Sequence, residues 1–241
     1  MRLVGTLLAA AQGFWVRRRQ EVLPPAGGEA SGRTGNAPAA EPLRVAVLGE
    51  STAAGCGVTT HHEGFAGSLA RRIFELTGRP VLWDVVGQHG ATARRIRHRL
   101  LPQLGARYDL VVLLAGANDV LSRRTTAEWR EDLTAILDAL AVRADHTVVA
   151  GTPPFATFPS LPGALRRYLA EAARSLDEVA EEICSSRANA TWVGSADVGG
   201  VGPDFFARDG FHPSAIGYRR WAELVADTLP NLDADADAVG R

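Results

Sequence analysis

The sequence predicts an α/β fold: a doubly wound parallel sheet between two layers of helices. Two observations carry that prediction. Short runs rich in Val, Leu and Ala alternate with longer segments of helical periodicity, five times over. The residues with chemical potential cluster just after the predicted strands and just before the last helix, where the loops at one edge of such a sheet lie. Right-handed crossovers would then place helices on both faces.

The elements follow in order. Arg44–Leu48 is the first strand, because the run Val45-Ala46-Val47-Leu48 stops at Gly49, as in a strand buried on both faces. Over Gly64–Leu76, the side chains of Phe65, Leu69, Ile73 and Leu76 share one helical face, and Gly78-Arg79-Pro80 ends the helix. Val81–Val86 is the second strand, and Ile96, Leu100 and Leu104 mark a helix from about Thr92. Leu110–Leu114 is the most apolar strand and is placed centrally. Trp129, Leu133, Ile136, Leu137 and Leu140 mark the next helix, and Thr147–Ala150 is the fourth strand. Leu165, Leu169, Ala172, Leu176, Val179 and Ile183 give the longest helical stripe. Thr191–Val193 is a short fifth strand, and Ile216 to Leu229 is the final helix.

The globular domain is expected over residues 43–230. Residues 21–42, with Pro24 to Pro42 rich in Pro, Gly, Ala and Ser, read as a flexible linker. Residues 231–241 form an acidic tail expected to fray. In residues 1–20, the apolar stretch Leu3 to Val16 precedes Arg17-Arg18-Arg19 and has three readings. It is shorter than the about 20 residues of a membrane span. As a signal peptide it has a thin basic start and small residues at Ala9-Ala10-Ala11. As an amphipathic surface helix it sets Phe14 and Trp15 beside arginines. Peripheral membrane contact or packing on the domain is the expectation. The basic cluster would keep the domain cytoplasmic if the segment inserted, whereas a signal would export it.

Composition narrows the function. The chain has 241 residues, 46% of them hydrophobic, enough for a substantial core, and a net charge of −1 gives no argument for a nucleic-acid partner. Arginine supplies every basic side chain. Cys56 and Cys184 are too few for a disulfide framework or a zinc site, and Cys56 reads as a small buried filler. No metal is expected at His61-His62-Glu63, because adjacent histidines point apart and no third ligand block follows. No cofactor is expected either: Gly55 and Gly57 lack the dinucleotide spacing.

The strand ends supply the parts of an acyl transfer. Ser51 follows the first strand, and a serine hydroxyl needs a base to become a nucleophile. His212, in Asp209-Gly210-Phe211-His212-Pro213, can be that base, with Asp209 holding its second nitrogen. The oxyanion of the intermediate needs donors. The Ser51 N–H, the Gly90 N–H in Gly87-Gln88-His89-Gly90-Ala91-Thr92 and the Asn118 amide in Gly116-Ala117-Asn118-Asp119 are candidates. Each has a plain structural alternative: Ser51 a helix cap, Gly90 a turn, Asn118-Asp119 an Asx turn, Asp209 and His212 a surface pair. Their joint occurrence on one sheet edge favours chemistry. Gly151-Thr152-Pro153-Pro154-Phe155, with Phe158, Pro159 and Leu161, is either an acyl-binding wall or a rigid connection. Phe205, Phe206 and Phe211 line a pocket or pack on the sheet, and His89 can line the site.

Taken together, Gly49-Glu50-Ser51, Gly90, the Gly116–Asp119 block and the Asp209–Pro213 block resemble the GDSL, or SGNH, hydrolases, over roughly Leu43 to Leu229. The resemblance implies a flavodoxin-like sheet of order 2-1-3-4-5 and a metal-free esterase or lipase mechanism. By the same matching Ser51 is the nucleophile, His212 the base and Asp209 its orienter, and Gly90 and Asn118 complete the oxyanion hole. Two features depart from the pattern. Glu50 stands where aspartate is usual, and Val85-Val86-Gly87 stands where an asparagine often precedes the second-block glycine. Gly90 is preferred over Gly87 because Ala91-Thr92 can open the next helix. An α/β-hydrolase elbow is not met, since Ala53 replaces its second glycine. The expected activity is hydrolysis of small or lipid-like carboxylic esters. A thioesterase or carbohydrate deacetylase would use the same parts, and a non-catalytic membrane-tethered binding module is the alternative of a different class.

Overall fold

The computed structural model describes residues 8, 11–16, 18, 21–105, 107–195, 198 and 201–229; the acidic tail lies outside them. Its strands are β1 (Ser31–Thr34), β2 (Leu43–Gly49), β3 (Val81–Gly87), β4 (Tyr108–Leu114), β5 (Ala144–Ala150) and β6 (Ala190–Val193). Its helices are α1 (Phe65–Thr77), α2 (Ala93–Arg95), α3 (Ala117–Leu121), α4 (Thr126–Leu140), α5 (Gly163–Ser185) and α6 (Ala215–Asp227). The short α2 continues through a π turn, Ile96–Leu100, and a 3-10 turn, Leu101–Gln103.

The sheet order is β1-β3-β2-β4-β5-β6. Strands β2 to β6 pair in parallel, in the expected 2-1-3-4-5 arrangement. β1 is a sixth strand, antiparallel to β3. It corrects the five-strand expectation and the reading of residues 21–42 as a flexible linker. The stretch Ser31-Gly32-Arg33-Thr34 has no apolar alternation, so it carries no strand signal of its own. Main-chain pairing to β3 makes it a strand, and as an edge strand it stays part-exposed. The chain before it is also tied down: Leu23 is buried, and the Ala26 and Gly27 N–H groups donate to the carbonyls of Ala54 and Thr59, each at 2.9 Å.

Crossover handedness sorts the helices. α1 joins β2 to β3 in one direction across the sheet, whereas the 93–103 segment, α4 and α5 join later strands in the other. Accordingly α1 packs with α6, while α4 packs with α5 and with the 93–103 segment. The layers enclose one core, in which Leu48, Leu110, Leu113, Leu69, Ile73 and Trp129 are fully buried.

The parallel strands end level. Gly49 pairs with Gly87 and with Leu114, Leu114 with Ala150, and Ala150 with Val193. The chain segments that follow these residues therefore leave the sheet on one edge, and they hold all predicted site residues except the Asp209–His212 pair.

Candidate active site

The turn after β2 is set by close packing of strands. A Cβ on Gly49 would stand 2.1 Å from the Leu114 carbonyl oxygen, so only glycine permits this approach. The Glu50 N–H then donates to that same oxygen at 3.0 Å, and the chain turns to present Ser51. Ser51 Oγ lies 3.0 Å from His212 Nε2. His212 Nδ1 lies 2.6 Å from Asp209 Oδ2. Donation of the Nδ1–H to Asp209 leaves Nε2 as acceptor for the serine hydroxyl. The backbone N–H groups of Phe211 and His212 both donate to Asp209 Oδ1 at 3.0 Å. Burial pushes the Asp209 carboxyl up, but these donors and the imidazole outweigh it and hold it below its ordinary value. The structure thus brings the three residues together in the order read from sequence.

Gly90 and Asn118 follow β3 and β4, the two strands that flank β2. Gly90 has φ +73°, and a Cβ there would meet nothing within 4 Å. Glycine serves this position through its left-handed backbone rather than for room. Thr92 caps α2 through the Arg95 N–H, as its place in the sequence suggested. Gly87 instead ends β3, packed so that a Cβ would fall 2.4 Å from Ala54 N. Among the described residues, the N–H groups of Ser51 and Gly90 have no acceptor.

Asn118 is held by Glu50. Glu50 Oε2 accepts the Asn118 Nδ2–H at 2.7 Å and the Asn118 backbone N–H at 3.1 Å. The second Nδ2 hydrogen has no acceptor among the described residues. Next door, Asp119 Oδ2 accepts the Ala93 N–H at 2.9 Å, and Oδ1 lies 3.3 Å from Arg124 Nε. Arg124 also pairs with Asp132 at 2.6 Å. This buried network ties the loop of Gly90 to the helix that carries Asn118, and desolvation raises the Asp119 carboxyl to about 6. An Asx turn at 118–119 was one reading; in the structure both side chains reach across to other strand ends.

Burial raises the Glu50 carboxyl to about 8, against the lowering effect of its Asn118 donors. A raised folded-state value on an acid means that the native state holds the proton more tightly than the unfolded chain. Stability therefore falls as pH rises from the ordinary glutamate value to about 8. Replacing Glu50 with Gln, which keeps an acceptor but cannot ionise, is expected to flatten this dependence. Relative to the variant, wild type should lose roughly 3–5 kcal/mol between about pH 5 and about pH 9. Chemical denaturation of both proteins across that range checks it; parallel stability profiles would remove Glu50 as the cause.

Beside Ser51 and His212 opens a small, largely apolar cavity that is partly open to solvent. Pro153, Pro154 and Phe158 form one wall, and Phe205, Phe206 and Phe211 another. Sequence reasoning left both groups divided between pocket and packing, and they do both: Phe158 stacks edge-on with Phe206 and Phe211. It missed Thr52, Ser195, Val198 and Trp221, which also line the cavity. Trp221 lies on the apolar stripe of the last helix, which looks like ordinary core in one dimension. His89 is exposed, its ring centroid 6.1 Å from that of His212. His61 is buried, whereas His62 stacks edge-on against Trp83, so the adjacent histidines do part. Cys56 is buried, and desolvation raises its thiol to about 11, which leaves it a filler rather than a nucleophile.

The sequence pattern of the GDSL-like lipase/acylhydrolase family matches residues 47–220, a span that holds Ser51, Gly90, Asn118, Asp209 and His212. The chain belongs to this family. As a GDSL-type acylhydrolase it is an ester-hydrolysing enzyme. No curated protein matches it in sequence. Among solved structures, TesA is similar at 24% identity and TM-score 0.61, over 77% of this chain and 97% of that one. A lipase/acylhydrolase from Enterococcus faecalis aligns at 23% identity and TM-score 0.54, over 77% and 94%. A family 3 carbohydrate esterase from Clostridium thermocellum aligns at 16% identity and TM-score 0.59, over 78% and 94%. These likenesses show that the acylhydrolase shares its fold with these three proteins.

Proposed function

We propose that this acylhydrolase cleaves carboxylic esters with an apolar acyl group through a covalent acyl-serine. The observation that carries the reading is the unbroken chain Ser51 Oγ, His212 Nε2, His212 Nδ1, Asp209 Oδ2, with links of 3.0 and 2.6 Å, at the mouth of an apolar cavity. His212 takes the Ser51 proton as Oγ attacks the ester carbonyl, and Asp209 stabilises the imidazolium formed. The oxyanion receives the Ser51 N–H, the Gly90 N–H and the free Nδ2 hydrogen of Asn118. His212 then protonates the leaving alkoxide. A water activated by the same imidazole hydrolyses the acyl-serine and frees the acid. The phenylalanine and proline walls favour a hydrocarbon acyl chain, and a sugar ring would find few polar partners there.

Hydrolysis of a chromogenic ester series, from acetyl to long-chain acyl, tests this reading together with labelling by a fluorophosphonate. The expected outcome is turnover with a chain-length optimum and a single label on Ser51. A label elsewhere, or none on a folded protein that turns over esters, would overturn the assignment of the nucleophile.

A further inference from the structure

We infer that the exposed apolar side chains of the N-terminal stretch, Leu8, Phe14, Trp15 and Val22, dock on an anionic lipid surface. Eight large hydrophobic side chains are markedly exposed among the described residues, and half of them fall in this short stretch: Leu8 at 51%, Phe14 at 61%, Trp15 at 49% and Val22 at 72%. Scattered exposed apolar residues need no explanation, but a concentration in one segment does.

The segment is fixed to the domain by its other face. Gln12 Oε1 accepts the Leu165 N–H at 2.9 Å, Gly13 lies against the Leu165 side chain, and Val16 packs on the core. Further along, Glu21 pairs with Arg208 at 2.8 Å. The anchors lie close in sequence to site residues: Leu165 is seven residues after Phe158, and Arg208 immediately precedes Asp209.

Charge points to the occupant. Residues 1–20 contain four arginines and no carboxylate. The Arg18 guanidinium stacks on the Phe14 ring at 4.4 Å. Arg166 and Arg167 follow the Leu165 anchor and make no ion pair among the described residues. Aromatic rings interleaved with arginines suit the headgroup region of an anionic bilayer, where rings enter the acyl boundary and guanidinium groups meet phosphates. No helix among the described residues is long and apolar enough to cross a membrane.

The test is cosedimentation of the full chain with phosphatidylcholine vesicles, with and without phosphatidylglycerol. Binding is expected only where phosphatidylglycerol is present, and it should weaken as salt is raised. Arg18→Glu should lower the partition coefficient roughly 10- to 30-fold. The double variant Phe14→Ser with Trp15→Ser should lower it at least as far. Both variants should hydrolyse a soluble short-chain ester at the wild-type rate, which shows that the fold survives and keeps this result separate from the serine mechanism. Absence of wild-type binding to vesicles, or equal binding by wild type and the double variant, overturns the proposal. A wild-type dimer in sedimentation that the double variant abolishes, with no binding to vesicles, also overturns it and assigns the face to a second copy.

Discussion

Ser51→Ala is expected to lower kcat/KM for the best ester by roughly 10³- to 10⁶-fold while leaving the protein folded. The size follows from what remains. Without Oγ no covalent acyl group can form, and His212 and Asp209 have no hydroxyl to deprotonate. The donors on Ser51 N, Gly90 N and Asn118 stay in place, so water attacking a bound ester would still meet a partial oxyanion hole. That residual catalysis bounds the loss from above. The fold should survive because the Ser51 hydroxyl contacts only His212 Nε2 among the described hydrogen bonds, and alanine fits the same turn. Thermal unfolding alongside ester kinetics checks both halves. A variant that turns over within about tenfold of wild type would remove Ser51 as nucleophile. Fluorophosphonate labelling should vanish in the same variant.

The parallel core was legible because its strands are buried on both faces. Val45-Ala46-Val47-Leu48 and Leu110–Leu114 are continuous apolar runs, and burial demands no other pattern. Ser51, Asp209 and His212 were legible as local motifs, one after the first strand and two in a single block before the last helix, and the fold closes the 161 residues between Ser51 and His212 into a hydrogen bond of 3.0 Å. What escaped was whatever depends on a partner across the fold. β1 exists through the exposed backbone of β3, and Ser31-Gly32-Arg33-Thr34 carries no trace of that. Glu50 could be seen as a longer acid than usual, but its grip on Asn118, 68 residues away, could not. Trp221 reads as core by periodicity, and only the folded chain shows that its side of the core is also the cavity wall.

That grip makes Asn118 the second large prediction. Asn118→Ala should lower kcat by roughly 10²- to 10³-fold and change KM little, because the amide serves an oxyanion that exists only in the transition state. Two further consequences distinguish this from damage to the fold. The backbone N–H of Asn118 still donates to Glu50 at 3.1 Å, so the turn should persist and the melting temperature should move by only a few degrees. Second, the buried Glu50 carboxyl loses its shorter donor, so its value should rise further above about 8. In wild type, ionisation of Glu50 places a negative charge behind the amide proposed to face the oxyanion. Activity should therefore fall on the alkaline side near that value, and Glu50→Gln should abolish the fall while keeping most of kcat at neutral pH. In the Asn118→Ala background the same Glu50→Gln change should do little, because the amide through which Glu50 acts is gone. Full additivity of the two substitutions in kcat would show that Glu50 and Asn118 act separately. A normal kcat for Asn118→Ala would leave the hole to the backbone donors of Ser51 and Gly90.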